Sequence, residues 1–96
     1  MIIRVDIDGT ITNTIGADYD NSKPIQENID KINKLYDESH TIIYWTASGS
    51  STSPDNWREL TKKQIDKWGC KFHELKMGKP HYDLFICDKT KRIEEI

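Results

Sequence analysis

The sequence predicts a small α/β domain organised around a parallel sheet. Short, β-branched apolar runs alternate with stretches whose apolar residues recur at helical spacing. No internal repeat or long linker divides the chain. Its 96 residues suffice for one core, near the lower end of what folds alone, so residues 1–96 read as a single domain.

Residues 2–7 are apolar apart from Arg4 and Asp6 and form a first strand. Residues 8–23, rich in Gly, Thr, Asn and Asp, read as turns or a small flap. Over residues 24–39, Ile25, Ile29, Ile32, Leu35 and Tyr36 mark one helical face. Pro24 suits its first turn, with Ser22 or Lys23 as cap. Residues 41–45 are a second strand, ended by Thr46-Ala47-Ser48-Gly49. A second helix begins near Ser53-Pro54-Asp55, runs to Trp68 and stops at Gly69. Its Trp57, Leu60, Ile65 and Trp68 form an imperfect apolar stripe. Residues 70–75 and 84–87 supply two more strands, and residues 89–96 a last short helix. Both helical connections are long enough for right-handed crossovers. The expected architecture is a Rossmann-like three-layer sandwich of about four parallel strands in the order 4-1-2-3, without a cap domain.

Composition excludes several partner classes. A net charge of −2, with scattered Lys and Arg, provides no basic stripe for nucleic acid or an anionic membrane. The densest basic run, Lys89, Lys91 and Arg92, is answered by Glu94 and Glu95. No apolar stretch approaches the ~18 residues of a membrane span. The chain opens directly into a strand pattern, with no basic region or cleavage site before it. Cys70 and Cys87 lack metal-ligand spacing and read as small core residues in a reducing compartment. A soluble cytoplasmic domain is the expectation.

In parallel α/β sheets, ligands bind outside the carboxyl ends of the strands. The first strand delivers Asp6, then Asp8, Gly9 and Thr10 to that rim. The second delivers Thr46, and the last delivers Asp88. Lys79 lies in the loop before that last strand. Carboxylates gathered at one point repel unless a hard cation such as Mg2+ lies between them. With that charge neutralised, one carboxylate can attack a phosphate and form an acyl phosphate. A second, two residues on, can protonate the leaving oxygen and then activate water. The Thr46 hydroxyl and Lys79 ammonium suit the nonbridging oxygens, where transition-state charge resides. Gly9 permits the sharp turn that lets Asp6 and Asp8 face one ligand.

Asp6-Ile7-Asp8-Gly9-Thr10 resembles the DxDGT signature of the haloacid dehalogenase superfamily of phosphatases. Thr46, Lys79 and Asp88 follow in that family's order, so the resemblance spans residues 2–88. It implies Asp6 as nucleophile and Asp8 as acid/base. It also implies Thr46, Ala47 and Lys79 as phosphate ligands, and Mg2+ held by Asp6, the backbone carbonyl of Asp8, and Asp88. Trp45-Thr46-Ala47-Ser48-Gly49, Trp68-Gly69, Gly78-Lys79-Pro80 and residues 82–86 look like a small capless subgroup, often tied to polysaccharide biosynthesis. Cys87-Asp88 stands where such relatives often carry paired acids, and Ser48 where they often carry Arg. A site without a lid implies closure by a large substrate or by a neighbouring subunit in a homo-oligomer. The Ser-rich loop 48–53 would lie near the mouth. A sugar phosphate or similar small phosphomonoester is the substrate class the resemblance implies.

Other polar and aromatic residues have plainer readings. Asp83 lies five residues, roughly 16 Å of strand, before Asp88 and reads as structural. His40, His73 and His81 lack ligand spacing, and Trp45, Trp57 and Trp68 read as core. Three rival functions share parts of the inventory: a phosphate-binding or regulatory domain without turnover, a phosphotransferase, and a receiver-type signalling domain. The last would place its phosphoacceptor on a middle strand, where this chain has Trp45-Thr46.

Overall fold

β-Branched residues dominate the first strand, β1 (Ile2–Val5), and the central strand, β4 (Thr41–Trp45). A computed structural model describes residues 1–13, 23–47, 54–80 and 82–96, residues 54–57 by backbone alone. Between these strands, β2 (Thr12–Asn13) and β3 (Lys23–Pro24) form a short antiparallel ribbon, followed by α1 (Gln26–Asp37). After β4 come α2 (Pro54–Lys67), β5 (Glu74–Lys76) and a 3-10 turn, Ile93–Glu95.

β1, β4 and β5 form a parallel sheet in the order β1-β4-β5. Register explains the core. Ile3 pairs with Ile42, and Val5 with Tyr44, which pairs in turn with Leu75. Side chains alternate along a strand, so these residues share one face. Ile29 and Ile32 of α1 and Ile65 of α2 pack onto that face, with Ile7, Ile11 and Cys70 completing the core. Each such aliphatic side chain contributes about 1.5–3 kcal/mol by leaving water.

The other face follows Ile2, Arg4, Ile43, Trp45, Glu74 and Lys76. Ile2, Arg4 and Glu74 on it are exposed. Ile43 on it is buried at 8% exposure, but both described helices pack on the first face, so the described residues form two layers rather than the expected three. Among the described residues the fourth strand is also absent from the sheet. Residues 84–87 pair with nothing in the sheet, and Leu84 and Ile86 are 75% and 86% exposed. Cys87, expected in the core, is exposed as well, whereas Cys70 is buried as expected. The cause is local. Lys79 is bound at the carboxyl rim, and the few residues after it leave little chain for a turn and a return across the sheet before residue 84.

Smaller shifts have local causes too. Pro24 pairs with Thr12 in the ribbon, so the helix begins two residues later, after Ile25. It ends before Ser39, whose φ of 74° turns the chain out. The strand expected over 70–75 is Glu74–Lys76, because Cys70 still bonds back to Ile65 as the close of α2. The terminal helix reduces to the 3-10 turn. No described helix is long and apolar enough to cross a membrane. Ser22, the loop 48–53, His81 and the Trp57 side chain lie outside the described residues.

Candidate active site

The turn after β1 sets the site. The Thr10 and Ile11 amides both donate to the Ile7 carbonyl, and the Gly9 amide donates to the Thr12 carbonyl at 2.9 Å. Gly9 has a φ of +83°, which disfavours a side chain. The Asn28 side-chain amide of α1 donates through Nδ2 to the Thr10 carbonyl at 2.8 Å, tying the helix to the turn. The Ile25 amide donates to the Ile11 carbonyl. Asp6 and Asp8 therefore leave a turn braced from two sides.

β4 supplies the next member. Val5 pairs with Tyr44, so Asp6 lies level with Trp45 and Thr46 follows at the rim. Thr46 is fully buried, and its hydroxyl donates a long hydrogen bond, 3.5 Å, to Asp8 Oδ2. Its backbone continues the sheet past the strand. The Thr46 amide donates to Lys76, and the Lys79 amide donates to the Thr46 carbonyl, both at 3.1 Å. That clamp aims Lys79 across the rim, where Nζ lies 3.1 Å from Asp6 Oδ1. The Thr10 hydroxyl approaches Asp6 Oδ2 at 3.4 Å.

Burial is the strongest influence on the Lys79 ammonium and acts to lower its pKa. The Tyr82 side chain and the Asp6 carboxylate together outweigh it and hold the group above its ordinary 10.5. The ammonium also stands 5.3 Å from the Tyr82 ring and 5.7 Å from the Trp45 ring. Asp6, Ala47, Lys79, Pro80 and Tyr82 line an open recess of about 180 Å³.

Five of the expected site residues, Asp6, Asp8, Thr46, Ala47 and Lys79, thus lie around one rim. Asp88 does not join them. It is exposed, contacts the Cys87 thiol at 3.6 Å, and among the described residues no three acidic, His or Cys side chains cluster as a metal site. Asp83 is exposed and, without a fourth strand, has no opposite sheet edge to occupy. His73 stacks on Tyr36 and accepts from the Ile42 amide, a structural role. Trp68 packs against the core, and Trp45 lies on the open face beneath Arg4. Tyr82 escaped sequence reasoning. Its signals there are its position three residues after Lys79 and its place in the run 82–86 that carries the resemblance.

The donor set fits Mg2+ in part. Mg2+ is commonly held by one or two carboxylates, with water and phosphate oxygens completing its shell. Asp6 supplies a carboxylate and Asp8 a backbone carbonyl at an open rim. Lys79 balances the charge of Asp6, and among the described residues no third ligand side chain clusters with the two.

No family model and no curated protein matches the sequence. Among solved structures, the fold is similar to a crystal structure of a structural-genomics target from Vibrio cholerae, with a TM-score of 0.86 and 25% identity. The match covers 99% of this chain and 86% of that one. The likeness places the chain in that small α/β architecture, and it carries no activity with it.

Proposed function

We infer that this chain is a Mg2+-dependent phosphomonoester hydrolase that works through an aspartyl phosphate on Asp6. The observation that carries this reading is the convergence of Asp6, Asp8, buried Thr46 and Lys79 on one rim, with Lys79 Nζ 3.1 Å from Asp6. The haloacid dehalogenase resemblance of residues 6–10 supports it.

Lys79 and the Thr46–Ala47 segment bind the nonbridging phosphate oxygens. Asp6 Oδ attacks phosphorus, and the bond from phosphorus to the leaving oxygen breaks. Asp8 gives that oxygen its proton. Asp8, now a carboxylate, takes a proton from water, whose oxygen attacks the phosphorus and frees phosphate and Asp6. Bound Mg2+, held by the Asp6 carboxylate and the backbone carbonyl of Asp8, would neutralise charge between carboxylate and phosphate and leave the Asp8 side chain to the proton. The open recess suits a small phosphomonoester, with a sugar phosphate as the class the resemblance favours.

The test is Mg2+-dependent phosphate release from a panel of phosphomonoesters by wild type and Asp6→Asn. Turnover in wild type that vanishes in Asp6→Asn is expected. Silence across the panel from folded wild type defeats the reading. It would favour a phosphate-binding domain without turnover, which the exposed position of Asp88 also favours.

A further inference from the structure

β1 is an edge strand. One side pairs with β4, and among the described residues the other pairs with nothing. Such an edge is a template for another strand. The same chain carries an unused strand sequence. Residues 84–87, Leu-Phe-Ile-Cys, are apolar and exposed, although such a run belongs in a sheet. The two features complement each other in register. Laid parallel to β1, Leu84 pairs with Ile2, Phe85 with Ile3, Ile86 with Arg4 and Cys87 with Val5. The next position sets Asp88 beside Asp6.

The chain cannot readily make this pairing with itself. Lys79 is fixed at the carboxyl rim by Asp6 and by the Thr46 carbonyl. A strand parallel to β1 must start at the opposite end. That is about 13 Å away. The five residues from Lys79 to Leu84 reach about 17 Å when fully extended. Little remains for the turn or for clearing the sheet, whereas parallel connections commonly take about a dozen residues. Short connections of this kind favour exchange between chains. Residues 82–92 form an arm held at both ends, by Lys79 on one side and on the other by Ile93, whose carbonyl accepts from Lys31 of α1.

We propose that two copies of this chain exchange these arms, residues 84–87 of each adding to the β1 edge of the other, so that Asp88 of the partner subunit stands beside Asp6. The catalytic part rests on the phosphatase reading. The site, short of a late carboxylate within one chain, is completed in trans. The exchange is isologous, each arm covering the other copy's edge.

Mass and cross-linking test the exchange without any activity. Wild type at micromolar concentration should run as a dimer by light scattering, and Ile86→Asp as a folded monomer. Ile86 is 86% exposed, so that substitution spares the subunit's own core. In a Cys87→Ser background, mixed Arg4→Cys and Ile86→Cys chains should form an interchain disulfide under oxidation. A monomeric wild type, or a disulfide that forms only inside an Arg4→Cys, Ile86→Cys double variant, overturns the exchange. Activity then tests the composite site. Asp6→Asn and Asp88→Asn chains, each impaired alone, should together recover about a quarter of wild-type turnover, since half the dimers are mixed and each holds one intact site. No recovery beside an active wild type overturns the role of the partner's Asp88. An inactive wild type instead defeats the phosphatase reading, and the mass and cross-link still decide the exchange.

Discussion

Lys79 and Asp6, 73 positions apart in the sequence, meet at 3.1 Å across the carboxyl rim of the sheet. The lysine side chain is largely buried there, at 14% exposure, against 37% for the aspartate. An ammonium in that position is bonded to the very carboxylate that the proposed chemistry uses. A phosphate entering the recess would meet the ammonium beside the nucleophile, and would offer Lys79 a second acceptor.

Replacing Lys79 by Met should therefore lower phosphatase turnover by about 100-fold or more, the usual cost of one transition-state donor. Stability provides a check that does not depend on turnover. The folded pKa of Lys79 is raised, so its stabilising contribution is complete below the unfolded value of 10.5 and is lost as pH rises through the folded value. The difference in Tm between wild type and Lys79→Met should stay level from about pH 6 to 9 and shrink only above about pH 10.5. A difference that changes across the neutral range would contradict the assignment.

Thr46 separates hydroxyl from shape. Its side chain is fully buried and its hydroxyl donates to Asp8 at 3.5 Å. Thr46→Val keeps the volume and removes the donor, so it should cost about 1–2 kcal/mol and lower kcat by about 100-fold. Thr46→Ser keeps the donor and should lose less than about tenfold. Equal activity in the two variants would show that shape, and not the hydroxyl, is what the site uses.

Much of this site was legible because its members sit where strand ends must bring them. Asp6, Thr46 and Lys79 follow from two apolar runs, a turn glycine and the rule that ligands gather at carboxyl ends. The helical face of α1 followed from spacing, as did Ile65 and Trp68 of the α2 stripe. Residues 84–87 failed for a reason that periodicity does not carry. Their pattern is that of a strand, but pairing depends on the length of chain between Lys79 and Leu84, and on where Lys79 is held. Cys87 and Asp88 were misplaced with them. Tyr82 was missed because the run 82–86 assigns it no chemistry, and its role appears only when Lys79 is in place.

Tyr44 carries a stability prediction away from the chemistry. It is fully buried, with the weak Cys70 thiol beside its hydroxyl and no well-placed oxygen or nitrogen partner. Burial, with the Cys70 thiol beside it, pushes the phenol pKa well up. Its ring keeps an edge contact with Phe72 at 5.8 Å. Tyr44→Phe retains the ring and removes a buried polar group that a weak thiol compensates at most in part, so stability should be unchanged or gain up to about 1 kcal/mol. Thermal unfolding measures this. A loss greater than about 1 kcal/mol would mean that the hydroxyl has a partner in solution.

Gly9 tests whether the turn itself positions Asp8. A Cβ at this position would meet nothing within 4 Å, so any cost of Gly9→Ala comes from the backbone, held at φ +83°. That cost should be about 1–2 kcal/mol, lowering Tm by about 4–16 °C in a domain of this size. Gly9→Asn should cost less, because asparagine tolerates the left-handed region better. The order Gly, Asn, Ala should then repeat in kcat, because a relaxed turn shifts Asp8 relative to the Thr46 hydroxyl while leaving the phosphate contacts of Lys79 in place. KM should change little across the three. A rise in KM with kcat preserved would instead place the role of the turn in binding, and would separate Asp8 from the proton transfer proposed for it.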